Sequence, residues 1–70
     1  MDDRIKIFLN EQSYLINNTV SIEKLLKYFN YDIYLIVLEY NGIIYSRKDW
    51  STIEIKENDK FEIVTIVGGG

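Results

Sequence analysis

Ser21-Ile22-Glu23-Lys24-Leu25-Leu26-Lys27-Tyr28-Phe29 reads as a short amphipathic helix, and it decides the fold class because strand-like sequence surrounds it. Its apolar residues Ile22, Leu25, Leu26 and Phe29 fall at i, i+3, i+4 and i+7, one stripe of a 3.6-residue period. Ser21 is a suitable N-cap, and Glu23 lies in the first turn, where the positive end of the helix dipole favours it. Asn30 supplies the expected C-cap. A single stripe of this kind is buried most simply by laying it across one face of a sheet.

The flanking segments supply that sheet. Between Arg4 and Leu9 the chain alternates, with Ile5, Ile7 and Leu9 on one side and Lys6 and Phe8 on the other, which predicts a half-buried strand. Asn10-Glu11 turns the chain, Gln12–Ile16 returns as a hairpin partner, and Asn17-Asn18 breaks the pattern. After the helix, the continuous apolar run Ile33–Tyr40 predicts a central strand. Asn41-Gly42 is a strong hairpin signal because both residue types accept positive φ, and Ile43–Tyr45 is the short partner. Ser46–Trp50 predicts a single helical or 3-10 turn, Thr52–Lys56 a brief strand, and Glu57-Asn58-Asp59 a turn. Lys60–Ile66 then alternates Phe61, Ile63 and Thr65 against Glu62, Val64 and Ile66 as the last strand. Hairpin, helix, strand, short strands, strand: with the first and last strands side by side, this order predicts an α+β β-grasp (ubiquitin-like) domain, a mixed sheet of about five strands on one main helix. The domain spans residues 1–66, and residues 67–70 form a glycine tail.

Composition narrows the chemistry. Seventy residues make one small domain, which buries about 60–65% of the surface its unfolded chain exposes. A hydrophobic fraction of 47%, with 14% aromatic residues, is ample for a packed core. Cysteine and histidine are both absent. That excludes disulfides, thiolate metal sites and the usual nucleophilic triads. The net charge of −3 and scattered basic residues argue against nucleic-acid binding. No apolar stretch approaches the roughly 18–20 residues of a membrane span, and the acidic start is unlike a signal peptide. The compartment expected is the cytoplasm, or the plastid stroma if the chain is organelle-encoded. Abundant Ile, Lys, Asn and Tyr without Pro or Ala fits an AT-rich low-GC bacterial or organelle genome.

Side-chain chemistry has few candidates. Asp2-Asp3 and Glu57/Asp59 could meet a cation, but a solvated terminus and a solvated turn are the plainer readings. Trp50, the lone tryptophan, is either a core plug under the long connection or an exposed contact aromatic. Arg47 and Lys48 are surface charges, or they dock an acidic partner patch. If Ile5, Ile7, Phe61 and Ile63 face the helix, then Phe8, Val64 and Ile66 face away from it. Val37 joins them once Ile36 and Leu38 point inward. An apolar group on an uncovered sheet face suggests a partner surface, the plainer reading being that register or loops hide it.

The last four residues, Val67-Gly68-Gly69-Gly70, can reach roughly 13 Å beyond the last strand at about 3.3–3.6 Å per residue. Without side chains, such a tail enters a tunnel too narrow for other residues. Its terminal carboxylate is a chemical handle: ATP can convert it to an acyl-adenylate that a sulfur or nitrogen nucleophile attacks. No helix follows the glycines, so they are not a phosphate-binding loop.

Essentially the whole chain resembles the ThiS family, the small sulfur carriers of thiazole formation in thiamine biosynthesis. The resemblance rests on "IFLNEQ", "TVSIEKLLKYF", "VLEYNGIIYSRKDW" and "ENDKFEIVTIVGGG". Asn41-Gly42 followed by Arg47 and Trp50 is its most discriminating part. Ser46 departs from the proline usual before that arginine, a change in loop rigidity more than in chemistry. The resemblance implies that a ThiF-type enzyme adenylates Gly70. Sulfur from a cysteine-desulfurase relay then yields a C-terminal thiocarboxylate, which a ThiG-type thiazole synthase consumes. Gly68 and Gly69 give access, and Phe8, Val37, Val64 and Ile66 dock partners. The chain is then a protein co-substrate, not an enzyme; it binds no metal or cofactor, and ATP belongs to the activating partner. Two alternatives share the glycine ending: a molybdopterin-synthase small subunit, and a protein-conjugating ubiquitin-like modifier whose Gly70 would end on a lysine. The tail is expected to be mobile alone and ordered only inside an active site, since bare glycines gain no packing to offset lost entropy.

Overall fold

The structure, a computed structural model, describes residues 3–66. Its elements run β1 (Arg4–Leu9), β2 (Gln12–Asn17), α1 (Ile22–Tyr28), β3 (Ile36–Tyr40), β4 (Ile43–Tyr45), a 3-10 helix (Arg47–Thr52) and β5 (Lys60–Thr65). The five strands form one sheet in the order β2-β1-β5-β3-β4. β1 and β5 pair in parallel, with Leu9 opposite Phe61, and the other neighbours are antiparallel. The first and last strands therefore lie side by side within the sheet, in a β-grasp arrangement.

Local chemistry sets the boundaries. Ser21 Oγ accepts the Lys24 amide at 3.2 Å, so the expected N-cap forms. The C-terminus lies one residue earlier than expected: Phe29 is the cap, and Asn30 follows in the left-handed region at φ 65°. Asn30 N–H donates to Lys27 O and Tyr31 N–H to Leu26 O, both at 3.0 Å. These are the paired bonds of a Schellman ending, and they need a residue tolerant of positive φ just past the cap. Both hairpins turn on two residues of positive φ, Asn10-Glu11 (48° and 70°) and Asn41-Gly42 (49° and 88°). This backbone twist matches that of the flanking strands. At Gly42 a Cβ would meet nothing within 4 Å, so its backbone angle and not crowding favours glycine there.

The core is the inner sheet face against α1. Ile7 and Leu9 of β1, Ile36 and Leu38 of β3, and Phe61 and Ile63 of β5 are buried with Ile22, Leu25 and Leu26 of the helix. Trp50 is buried as well, and its Nε1–H donates to Tyr45 O at 3.1 Å; it is the core plug and not an exposed aromatic.

Two strand expectations fail for a shared reason: side chains capture backbone groups a ladder would need. The third strand begins at Ile36, not Ile33. Asp32 Oδ1 accepts the Tyr34 amide at 3.0 Å and its carbonyl accepts the Leu35 amide at 2.9 Å, which folds that segment into a turn. Thr52–Lys56 forms no strand. The 3-10 helix runs on through Thr52, and residues 53–56 run without ladder partners while Ile55 is buried. The Lys56 amide donates instead to Asp59 Oδ2 at 2.7 Å.

Candidate functional site

β5 separates the two faces of the sheet within one strand. Phe61 and Ile63 point inward, and Val64 is 63% exposed on the opposite face. Register places Val37 of β3 directly across from Val64, and Glu39 across from Glu62. The Ile66 N–H donates to Leu35 O at 2.6 Å, carrying the ladder one residue past β5. Val37, Val64 and Ile66 therefore gather at the end of β5 that leads into Val67. Phe8 shares their face but stands apart. It lies opposite Lys60, roughly 13 Å along the strand from Val64 at about 3.3 Å per residue, with Glu62 and Glu39 between. Phe8 is half-buried, and Lys6 Nζ lies 5.5 Å from its ring centroid.

Exposed Leu35 and Ile44 extend the apolar surface. Ile44 pairs with Glu39 and so belongs to the outer face. The sequence held the means to find it, because a two-residue Asn-Gly turn fixes Tyr40 opposite Ile43 and hence Glu39 opposite Ile44. Gly68, Gly69 and Gly70, the expected reactive tail, lie outside the described residues, as does Asp2.

At the other end of β5 the structure corrects the reading of Glu57-Asn58-Asp59 as wholly solvated. Glu57 is exposed, with Oε2 accepting the Lys6 amide at 2.8 Å, but Asp59 is only 8% exposed. Its carboxylate accepts from the Tyr40 hydroxyl at 2.5 Å, from Asn41 Nδ2 at 3.2 Å and from the Lys56 amide. Asn41 Oδ1 in turn accepts the Lys60 amide at 2.8 Å. This knot ties the β3–β4 turn to the start of β5. It works as structure, because Asp59 bonds to groups on three other residues of this chain, Tyr40, Asn41 and Lys56. On the adjoining β1–β2 turn, Asn10 Oδ1 accepts the Ile63 amide at 2.7 Å.

Burial, and then the bond to Asp59, hold the Tyr40 phenol well above its ordinary pKa. The unfolded chain releases that proton near pH 10, while the folded chain keeps it. Tyr40 therefore contributes stability that is fully present below about pH 10 and declines as pH rises above it. Urea midpoints measured from about pH 9 to 11.5 should fall more steeply for the wild-type chain than for Tyr40→Phe. Parallel slopes would show that the phenol is not held in this way.

The model of the ThiS family matches residues 3–70. The chain belongs to the ThiS family. It is 52% identical over 63 residues to the uncharacterized protein ycf40 of Trieres chinensis, covering 90% of this chain and 86% of that protein. It is 30% identical to the ycf40 protein of Porphyra purpurea, across 100% of this chain and 99% of the relative. The crystal structure of the thiamine biosynthesis protein ThiS from Geobacter metallireducens superposes with a TM-score of 0.77 at 19% identity, over 94% of this chain and all of that one. That likeness shows the same β-grasp fold. Among the described residues no helix is long and apolar enough to cross a membrane.

Proposed function

We propose that this chain carries sulfur on the carboxylate of Gly70 for thiazole phosphate synthesis in thiamine biosynthesis. A ThiF-type partner uses ATP: a Gly70 carboxylate oxygen attacks the α-phosphorus, pyrophosphate leaves, and an acyl-adenylate forms. The terminal sulfur of a cysteine persulfide from a cysteine-desulfurase relay attacks the acyl carbon and AMP leaves, giving an acyl disulfide. A second thiol then attacks the cysteine sulfur of that S–S bond, so that the thiocarboxylate is released and the two thiols end as a disulfide. A ThiG-type thiazole synthase takes that sulfur. Gly68 and Gly69 leave the approach to Gly70 free of side chains. The outer-face residues Val37, Val64 and Ile66 dock partners at the root of the tail, with Phe8 as a separate contact farther along the sheet. The chain itself is a co-substrate with no bound cofactor. Its compartment is the plastid stroma, in keeping with the ycf40 relatives.

The observation that carries this reading is the reach of the family match, which runs through the glycines to residue 70. Co-expression with the activating enzyme and a sulfur source tests it by intact mass, because replacing an oxygen atom by the heavier sulfur atom adds about 16 Da. Persistent absence of that gain sinks the carrier chemistry, and covalent adducts on cellular proteins would point to a modifier. Rescue of a thiazole auxotroph identifies the acceptor, because a carrier for molybdopterin would gain the mass and fail the rescue.

A further inference from the structure

Resting on that carrier reading, we infer that Arg47, stacked on Tyr34, is a positioning residue that pairs with a carboxylate on the activating partner where the tail enters it. The Arg47 guanidinium carbon lies 4.2 Å from the Tyr34 ring centroid, over the ring. Both side chains are exposed, Tyr34 at 72%. Tyr34 adjoins Leu35, whose carbonyl accepts the Ile66 amide, so the stack stands beside the residue that precedes Val67.

Neither half of the stack is loosely hung. The Asp32 turn fixes the backbone of Tyr34 and Leu35. Arg47 opens the 3-10 helix, which is held at one end by Ser46 Oγ donating to Asp49 Oδ2 at 3.0 Å and in its middle by buried Trp50. The spacing of Arg47 and Trp50 thus has a physical meaning: the tryptophan anchors the turn that sets the arginine on the tyrosine. A guanidinium over a ring keeps its in-plane N–H donors free for a planar acceptor. Among the described residues, no carboxylate of this chain lies in ion-pair reach of it. Lys48 adds a second exposed positive charge to this corner of a chain whose net charge is −3.

Charge complementarity identifies the occupant as an acidic rim and not the nucleotide. Four residues, Val67 to Gly70, follow Ile66, and a chain of that length can span up to roughly 13 Å at about 3.3–3.6 Å per residue. Arg47, stacked on Tyr34 close to Ile66, is therefore placed to meet the partner near the start of that span and not at the nucleotide. The surface it meets is the one around the tail's entry. A bidentate arginine–carboxylate pair there fixes orientation as well as attraction.

The test is carrier-dependent adenylation by the activating enzyme, with the full chain as the varied substrate. Arg47→Glu should raise KM for the carrier by about tenfold or more and leave kcat within about twofold, because a rim charge acts on association. Arg47→Ala and Tyr34→Ala should show smaller increases in KM, and Arg47→Lys should recover only part of the wild-type value. The KM of Arg47→Ala should also depend less on salt than that of the wild-type chain. Unchanged KM in Arg47→Glu overturns the inference, and so does a fall in kcat alone, which would place Arg47 at the reacting atoms. Trp50 fluorescence identifies any variant that misfolds, and Tyr34→Ala, on a separate element, then reads the same interaction. A wild-type chain that is never adenylated defeats the carrier reading itself, whereas a wild-type chain adenylated equally well with Glu at position 47 defeats this inference alone.

Discussion

Phe61→Ala should cost the chain about half of its folding stability, whereas Val64→Ala on the same strand should be nearly silent. Phe61 is 1% exposed and lies between Leu9 of β1 and Tyr40 of β3, with its ring centroid 5.1 Å from that of Tyr40. Truncating a buried Phe costs about 3–5 kcal/mol, since the lost transfer energy is joined by the cavity left behind. At about 0.05–0.15 kcal/mol per residue, a chain of this length holds only about 4–10 kcal/mol in total. Val64 faces solvent on the outer side, where a substitution usually changes stability by no more than about 0.5 kcal/mol. Far-UV circular dichroism and urea midpoints measure the contrast. A Phe61→Ala midpoint as high as that of Val64→Ala would mean that the sheet buries its other face.

That contrast was legible in the alternation of Lys60–Ile66, because period two assigns one face to the core without tertiary information. The helix was legible for the same reason, and its N-cap rests on a contact three residues along the chain. What the sequence concealed has two sources: short side-chain-to-backbone bonds that override a strand-like pattern, and partners far apart in the chain. Ile33–Tyr40 is apolar enough for a longer strand, but Asp32 diverts its first residues into a turn. Thr52–Lys56 has β-branched residues, yet the Lys56 amide goes to Asp59. Asp59 itself sits in Glu57-Asn58-Asp59, which composition marks as surface. Its burial follows from Tyr40, 19 residues away, and from Asn41, 18 away. At the candidate site, the outer apolar cluster followed from parity. Its division by Glu39 and Glu62 needed the β3–β5 register, and the Arg47–Tyr34 stack needed the path of the 3-10 helix.

Removing Gly70 alone should abolish the mass gain that marks the thiocarboxylate, even though the shortened chain still ends in glycine. Gly69 would then carry a carboxylate of the same intrinsic reactivity, held about 3.3–3.6 Å short of its place. Adenylation requires that carboxylate close to the α-phosphorus and in line with the departing pyrophosphate. A misplacement of even about 1 Å can cost about a hundredfold in rate. If the domain docks as proposed, through Val37, Val64 and Ile66, the root of the tail is fixed and the activating enzyme has little means of compensation. Gly69→Val tests the other requirement: it keeps the length and the terminal carboxylate but places a β-branched side chain one residue before the reacting carbon. It should lose most of the conversion by obstructing the channel, with docking affinity retained. The two variants separate reach from width, and unchanged urea midpoints for both would place the loss in the chemistry and not in the fold. If the chain lacking Gly70 gained the 16 Da as readily as the full chain, the carboxylate's position would not be set by docking of the domain.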